Sequence, residues 1–489
     1  MKTIGKNWCA IQRTTQNTVS PPKVHPKFFR GPIAFARPTE FCCPTEFACP
    51  TELVEVGFEF SEIYIFTVNP KLLKPTSQKK ILVVAESIDV EDSSGSKANV
   101  ALILNLKKAG FEVKVYHYTR KEIDLPGVQC IAIKEKKWNS LFLLSRVQRK
   151  IQHGFKVNLA KRLEPVFGFS FTFFNDVRSI AEALRKEKKF KPDIVLTLSK
   201  GASFRPHYAM LQVPELQNKW MAYIHDPYPF HYYPEPYNWS EPGYQKKIKF
   251  FQELSEKCKW VAFPSLLLKD WMKSKFPKFE GKEVILPHQL IEKENPAELP
   301  DFFNSEKFTL LHAGNLMKQR PPFHLINAFQ KFLEKVPEAQ KNAELLLIGQ
   351  ASYHREKLQK KANKIPQLRI NDYLHYETAL ALQKNVSVNI ILEAKTEMSP
   401  FLPGKFPHCI AAEKPILLLG PSKSESLRLL GEGYPYWAEV EDEKKIEKHL
   451  EDLYRRWLEN ARDLTMKRED LKSYLSAGYL KAEIEKLFV

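Results

Sequence analysis

Pro403-Gly404-Lys405-Phe406-Pro407-His408-Cys409-Ile410-Ala411-Ala412-Glu413-Lys414-Pro415 runs straight into Ile416-Leu417-Leu418-Leu419-Gly420. The stretch reads as a loop, a short helix and a buried strand. Pro403 opens the turn, Phe406 and Ile410 fall at i, i+4 on one helical face, and Lys414-Pro415 stops the helix before an all-apolar run. A first helical turn that follows a Pro-Gly loop is expected to offer unpaired backbone N–H groups and a positive dipole end, and Lys405 adds a full charge there. A phosphate suits such a place. Taken alone, the segment is equally an ordinary loop-helix-strand of an α/β domain.

A second stretch repeats the pattern. Phe308-Thr309-Leu310-Leu311-His312-Ala313 is strand-like, and Gly314-Asn315-Leu316-Met317-Lys318-Gln319-Arg320 follows as a loop. Leu325, Ile326, Phe329 and Phe332 then keep helical spacing after Pro321-Pro322. Parallel α/β sheets bind ligands where such loops leave the carboxyl ends of strands. Two cationic loops in one sheet suit a diphosphate.

Together the two stretches resemble the nucleotide-sugar half of GT-B glycosyltransferases, those of glycosyltransferase family 4 and its relatives. The family's first pattern is Gly-Arg-x-x-x-x-Lys-Gly after a strand. Gly314 and Arg320 match it, with Arg320 in place of the lysine and Asn315 where the arginine usually stands. Its second pattern, Pro-Ser-Lys-x-x-Glu-x-x-Ala-x-Gly-Lys-Pro, is matched at Pro403, Lys405, Ala411, Lys414 and Pro415. His408 sits where the family's ribose-binding glutamate falls, and Glu413 replaces a glycine.

The resemblance spans residues 79–489 in architecture and implies an α/β fold of two Rossmann-like, doubly wound parallel-sheet domains facing a cleft. Residues 79–295 would form the acceptor-side domain, 296–475 the nucleotide-sugar domain, and 476–489 a last helix crossing back to the first. It implies glycosyl transfer from a nucleotide-sugar donor to a glycan or lipid-linked acceptor, with retention at the anomeric carbon. Gly314, Asn315, Lys318, Arg320 and Lys405 would hold the donor diphosphate. Gly349, Glu397, Ser399, Gly404 and His408 would surround its ribose, base and sugar. Ser94 and Gly95, in the first loop of the acceptor-side domain, would face the cleft.

The N-terminal half supports a parallel sheet on its own terms. Ile81-Leu82-Val83-Val84-Ala85 is a buried-strand run, a polar loop follows, and Val100, Leu102, Ile103 and Leu106 make a helix ended at Ala109-Gly110 before the strand Phe111–Tyr116. That order is a βαβ unit. Its Ser93-Ser94-Gly95-Ser96 loop lacks the G-x-G-x-x-G spacing of a nucleotide site. The strand Trp220–Ile224 delivers His225-Asp226 to the carboxyl end of the sheet, where a cleft ligand would lie. Both are catalytic candidates, His225 matching a cleft histidine of relatives. The bland alternative is a packed loop histidine beside a turn-capping aspartate. The run Phe230–Trp239 is rich in Tyr and Pro, and with Tyr228 it offers aromatic faces for an acceptor. A strand ending at Gly349 allows close backbone approach, with the nucleotide base as the expected neighbour.

The 489 residues carry a net charge of +18, spread over both halves, without a nucleic-acid-binding signature. A nucleoside diphosphate and an acidic membrane surface are the polyanions that fit; no nucleic acid is expected. Leu144, Val147, Ile151 and Phe155 fall at helical spacing beside Arg146, Arg149, Lys150 and His153, and Trp138 precedes them. That pattern fits an anionic membrane surface or a helix docked on the sheet with a solvated basic face. Seven cysteines without a C-x-x-C pair exclude a disulfide framework and a zinc site. No Asp-x-Asp flanks the cleft loops, so no metal and no cofactor are expected, the nucleotide-sugar being a substrate. No run of about 18 apolar residues occurs, and the first residues lack a signal peptide's apolar core. The expected place is cytoplasmic, peripheral at the inner face of the plasma membrane. Two other readings stay open: a non-catalytic GT-B-like subunit of a glycan-assembly complex, and a nucleotide-sugar epimerase, which would want paired cleft carboxylates.

Residues 1–78 read differently. Pro38-Thr39-Glu40-Phe41, Pro44-Thr45-Glu46-Phe47 and Pro50-Thr51-Glu52-Leu53 repeat with a period of six, and each proline denies the backbone a helix or a central strand. The segment is expected to be a disordered or spurious extension. A chain starting at Lys79 should therefore melt at the same temperature as the full chain. A fall of several degrees would mean a docked arm, because about 1 kcal/mol corresponds to roughly 2–4 °C in a large domain.

Overall fold

Among the described residues, thirteen short runs rich in Val, Ile, Leu and aromatic residues become strands, every one of them in parallel pairing. The first sheet contains β1 (Lys80–Ala85), β2 (Glu112–His117), β3 (Gln129–Ala132), β4 (Ile194–Leu198), β5 (Trp220–Tyr223), β6 (Trp260–Phe263) and β7 (Glu283–Ile285). The second contains β8 (Phe308–Ala313), β9 (Ala343–Ile348), β10 (Leu368–Asn371), β11 (Val388–Leu392), β12 (Ile416–Leu419) and β13 (Trp437–Ala438). The computed structural model describes residues 78–488 apart from 156–158, 230–240, 292–296 and 461–463. The Pro-Thr-Glu repeat, the aromatic run 230–239 and residues 292–296, at the expected boundary of the two domains, lie outside the described residues.

Strand order explains where a ligand can sit. The first sheet runs β3-β2-β1-β4-β5-β6-β7 and the second β10-β9-β8-β11-β12-β13. In each, the chain steps outward for two strands and then returns beside its starting strand. The crossovers on either side of that return leave toward opposite faces and open a crevice at the carboxyl ends, between β1 and β4 and between β8 and β11. The segments 314–320 and 393–405 are the ones that leave β8 and β11.

Helices cover both faces of each sheet, and their apolar stripes close the cores. Leu325, Ile326, Phe329 and Phe332 of the helix Phe323–Lys335 are buried against Phe308, Leu310, Leu345 and Ile390 of the second sheet. Val100, Ile103 and Leu106 of the helix Ser94–Lys108 pack on Ile81, Val83 and Val115 of the first. Ser93 caps that helix by accepting from Ser96 N–H, so Ser94 and Gly95, read from the sequence as loop, are its first turn. The last helix, Ala477–Glu485, buries Ala477, Leu480 and Ile484 in the core of the first sheet. Just before it, Leu475 accepts a backbone hydrogen bond from Leu290 N–H at 2.9 Å.

Candidate active site

The cationic end of the second sheet is built from the exits of β8 and β11. His312 near the end of β8, Arg320 in the following loop, Glu393 just past β11 and Lys405 are close enough to perturb one another's charge. Lys405 Nζ lies 3.2 Å from His312 Nδ1. A Cβ on Gly314 would meet that ammonium at 2.8 Å, so a larger residue there would push the Lys405 side chain aside. Burial, with Arg320 as a neighbouring cation, drops the Lys405 ammonium to about 7. Burial also keeps His312 neutral, reinforced by Lys405 and Arg320. Burial pushes the Glu393 carboxyl up to about 7 against the hydrogen bonds of Ser426 and Ser399 and the charge of Arg320. Ser426 Oγ donates to Glu393 Oε1 at 2.6 Å.

The helix after this loop is shorter than its sequence suggests, Phe406–Ala411. Phe406 N–H donates to the Pro403 carbonyl, and Pro407 has no N–H to offer. The expected row of open backbone donors is therefore largely absent. Anion-holding capacity here rests on the Lys405 and Arg320 side chains.

The first sheet contributes histidines. His225 follows the exit of β5, is 7 % exposed, and neither ring nitrogen has a hydrogen-bond partner among the described residues. Its ring stacks on His288 with centroids 5.8 Å apart and meets the edge of Tyr223 at 4.6 Å. Burial, then His288 and His207, hold it far below the ordinary histidine range, so it is neutral. His288, directly after Leu286-Pro287 at the exit of β7, is lowered by burial to about 4 and so is also neutral near pH 7, and it hydrogen-bonds to the Leu402 backbone. Leu402 directly precedes the Pro403-Gly404-Lys405 turn, so His288 links the His225 ring to the cationic loop.

Other strand exits meet at the same seam. Ser265 donates to the Pro400 carbonyl, and the buried Glu425 carboxylate accepts from Leu266 and Leu267 N–H at 3.2 and 3.3 Å, capping the helix Leu266–Lys275 across the seam. The Glu91 carboxylate accepts from Tyr373 Oη and Tyr376 N–H. A Cβ on Gly404 would come within 4.0 Å of the Ser94 carbonyl, which sets the first turn of the helix Ser94–Lys108 opposite the cationic loop. Gly95 approaches Gly201 of the β4 exit so closely that a Cβ would lie 3.1 Å from its nitrogen.

Several expected roles change in the folded chain. His408 is engaged by Tyr376, whose hydroxyl lies 3.3 Å from Nε2, while Lys97 Nζ stands 4.7 Å above the Tyr376 ring. Burial, Lys97 and His288 bring His408 to about 4. Asn315 Oδ1 accepts from Gln350 N–H and so ties two loops together, while Lys318 and Glu397 are exposed. Ser399 is buried beside Glu393. Gly349, at φ +137°, does admit a close approach, but its neighbour is backbone: a Cβ would meet the Gly314 carbonyl oxygen at 2.4 Å. Tyr228 is not an acceptor surface; it is 1 % exposed and its ring packs 4.7 Å from Phe204 and 4.9 Å from Phe251. Asp226 is partly exposed beside His225. Glu393 and His288 escaped the sequence reading, although each stands at a strand exit where it could have been sought.

No family model and no curated relative matches the chain. Solved structures do. A UDP-forming α,α-trehalose-phosphate synthase from Burkholderia xenovorans in complex with glucose-6-phosphate aligns over 83 % of this chain and 99 % of its own, with 10 % identity and a TM-score of 0.55. Sucrose-phosphate synthase from Thermosynechococcus elongatus aligns over 84 % and 98 %, with 12 % identity and a TM-score of 0.55. The E. coli trehalose-6-phosphate structure bound with UDP-2-fluoro glucose aligns over 83 % and 98 %, with 13 % identity and a TM-score of 0.54. At such identities the likeness is one of architecture. With two parallel sheets whose strand exits meet at a shared seam, the chain has the GT-B fold.

Proposed function

We propose that the protein is a glycosyltransferase that moves a sugar from a nucleoside-diphosphate donor to a glycan, lipid-linked or sugar-phosphate acceptor, with retention and without a metal. The observation that carries the reading is the pairing of Lys405 and Arg320 at the second sheet's switch point, opposite the unpartnered His225. In transfer, the bond from the anomeric carbon to the diphosphate oxygen breaks while a bond to the acceptor oxygen forms. Negative charge grows on the leaving diphosphate, and two cations placed there stabilise it without reorganising. Neutral His225 has one ring nitrogen to accept a hydrogen bond from a substrate hydroxyl and one N–H to donate. The UDP-forming reaction and glucose-6-phosphate ligand of one similar structure support a UDP-sugar donor and a phosphorylated acceptor among the candidates.

Calorimetric titration with a panel of nucleoside diphosphates, with and without EDTA, tests the donor half. One base should stand out, with affinity unaffected by EDTA, and the matching nucleotide-sugar should be turned over. Tight nucleotide binding without turnover of any donor would favour a binding subunit instead, a reading suggested by His408 standing in the carboxylate's place.

The same titration has a defined pH dependence. Lys405 must be protonated to hold a diphosphate, and in the free protein it loses its proton as the pH rises through about 7. Glu393 ionises over the same range, also about 7, and then places a negative charge beside Arg320. Both changes oppose an incoming dianion, so affinity should fall between about pH 6 and about pH 9, with net proton uptake on binding at the alkaline end. Affinity that rises over that span would exclude Lys405 from the site.

A further inference from the structure

The helix Ser140–Phe155 is packed inside out. Its buried residues are polar, Ser145 and Gln148, and they face the body of the domain, where the helix lies against Phe171–Lys186. Apart from Leu141 and Phe142, which are half-buried, its large apolar residues are exposed, among them Leu143 at 55 %, Val147 at 53 %, Ile151 at 37 % and Phe155 at 76 %. These fall at i, i+4, i+8 and i+12, one unbroken outward stripe, with Leu144 beside it. Just ahead of the helix, Trp138 is 88 % exposed, and Val166 and Phe167 are exposed in the next helix, Ala160–Phe167. Eight of the thirteen large apolar residues exposed among the described residues lie between Trp138 and Phe167. Single exposed apolar residues are ordinary; a stripe of this kind marks an interaction surface.

Charge decides the occupant. From Lys136 to Leu163 the sequence has eight Lys or Arg and no Asp or Glu. Glu135 pairs with Arg146 and Arg149 at 3.3 and 3.8 Å, while Lys137, Lys150 and Arg162 are exposed. A second copy of the chain would bring the same positive face against this one. A nucleic-acid backbone would use the cations but leave the aliphatic stripe in water. An anionic bilayer satisfies both, because apolar side chains enter the acyl boundary by about 5–10 Å while Lys and Arg meet headgroup phosphates.

We propose that the outward face of the helix Ser140–Phe155, together with Trp138, docks the protein on an anionic lipid surface. The helix rests on the first domain through its polar side and leaves its apolar side for lipid. Docking sets the protein at the surface where a lipid-linked acceptor would be met, but it does not depend on transfer activity.

Vesicle flotation of the full chain tests this, with phosphatidylcholine alone or mixed with phosphatidylglycerol. Binding should require phosphatidylglycerol and weaken with salt. V147E/I151E and, separately, K137E/K150E should each lower the partition about tenfold or more while melting temperature and nucleoside-diphosphate binding stay unchanged. All four residues are solvent-exposed, so the fold is retained. Failure of the wild type to bind, binding to phosphatidylcholine alone as strong as to the mixture, or full binding by V147E/I151E would each overturn the assignment. So would a wild-type dimer in sedimentation velocity that V147E/I151E converts to monomer, which would give the stripe to a second copy.

Discussion

His225→Ala is expected to lower donor turnover about 10²–10⁴-fold, the range set by losing a positioned hydrogen-bonding group at the reacting centre, while nucleoside-diphosphate affinity stays within about twofold. The imidazole lies on the first-sheet side of the seam, whereas Arg320 and Lys405, proposed to hold the diphosphate, come from the second. Stability gives a second readout. A buried polar group without a partner costs about 1–3 kcal/mol, and His225 has two such nitrogens. His225→Phe keeps an aromatic ring beside Tyr223 and His288 and removes both, so the variant should melt no lower than wild type even as turnover is lost. Loss of activity with a raised or equal melting temperature is the signature of a group kept for chemistry. If His225→Phe unfolds early and His225→Ala turns over donor at the wild-type rate, the histidine is a packing residue and His288 has no partner in catalysis to orient.

Much of the architecture was legible because parallel sheets need strands buried on both faces, and such strands announce themselves as continuous apolar runs. Ile81–Ala85 and Ile416–Leu419 are read directly, and each is an interior strand with a neighbour on both sides. The two cationic loops were legible as well, since a cation a few residues past a strand end can only be at the carboxyl edge. What distances decide was not legible. Gly349 signalled a close approach, but only the fold shows that the approach is to Gly314. Glu393 looks like one acid in a polar stretch, and its importance comes from complete burial under Ser426 and Gly420. Tyr228 has the composition of a sugar platform but packs among Phe204 and Phe251. The helix Ser140–Phe155 is the sharpest case. Periodicity finds its apolar stripe but cannot say which side the domain takes, and here the domain takes the polar one.

Arg320→Ala should weaken nucleoside-diphosphate binding roughly ten- to a hundredfold and leave binding of the bare nucleoside nearly unchanged. A guanidinium can hold two phosphate oxygens at once, and a charge-assisted contact of that kind contributes about 1.5–3 kcal/mol. Its neighbours make the expected loss specific to the diphosphate. Arg320 shares its surroundings with His312 and Lys405, which burial keeps from being permanent cations, so it is the member of the group that stays charged at every working pH. Removing it also takes away a positive charge that lowers Glu393, which should raise that carboxyl further and sharpen the pH dependence of what binding remains. His408→Ala provides the contrast. If the imidazole meets the ribose, nucleoside and diphosphate should lose affinity alike; if its work is confined to Tyr376 and Lys97, neither ligand should be affected. Equal losses for nucleoside and diphosphate in Arg320→Ala, or no loss at all, would show that the exits of β8 and β11 do not hold the phosphates. The GT-B architecture would then serve some purpose other than gripping a nucleotide-sugar.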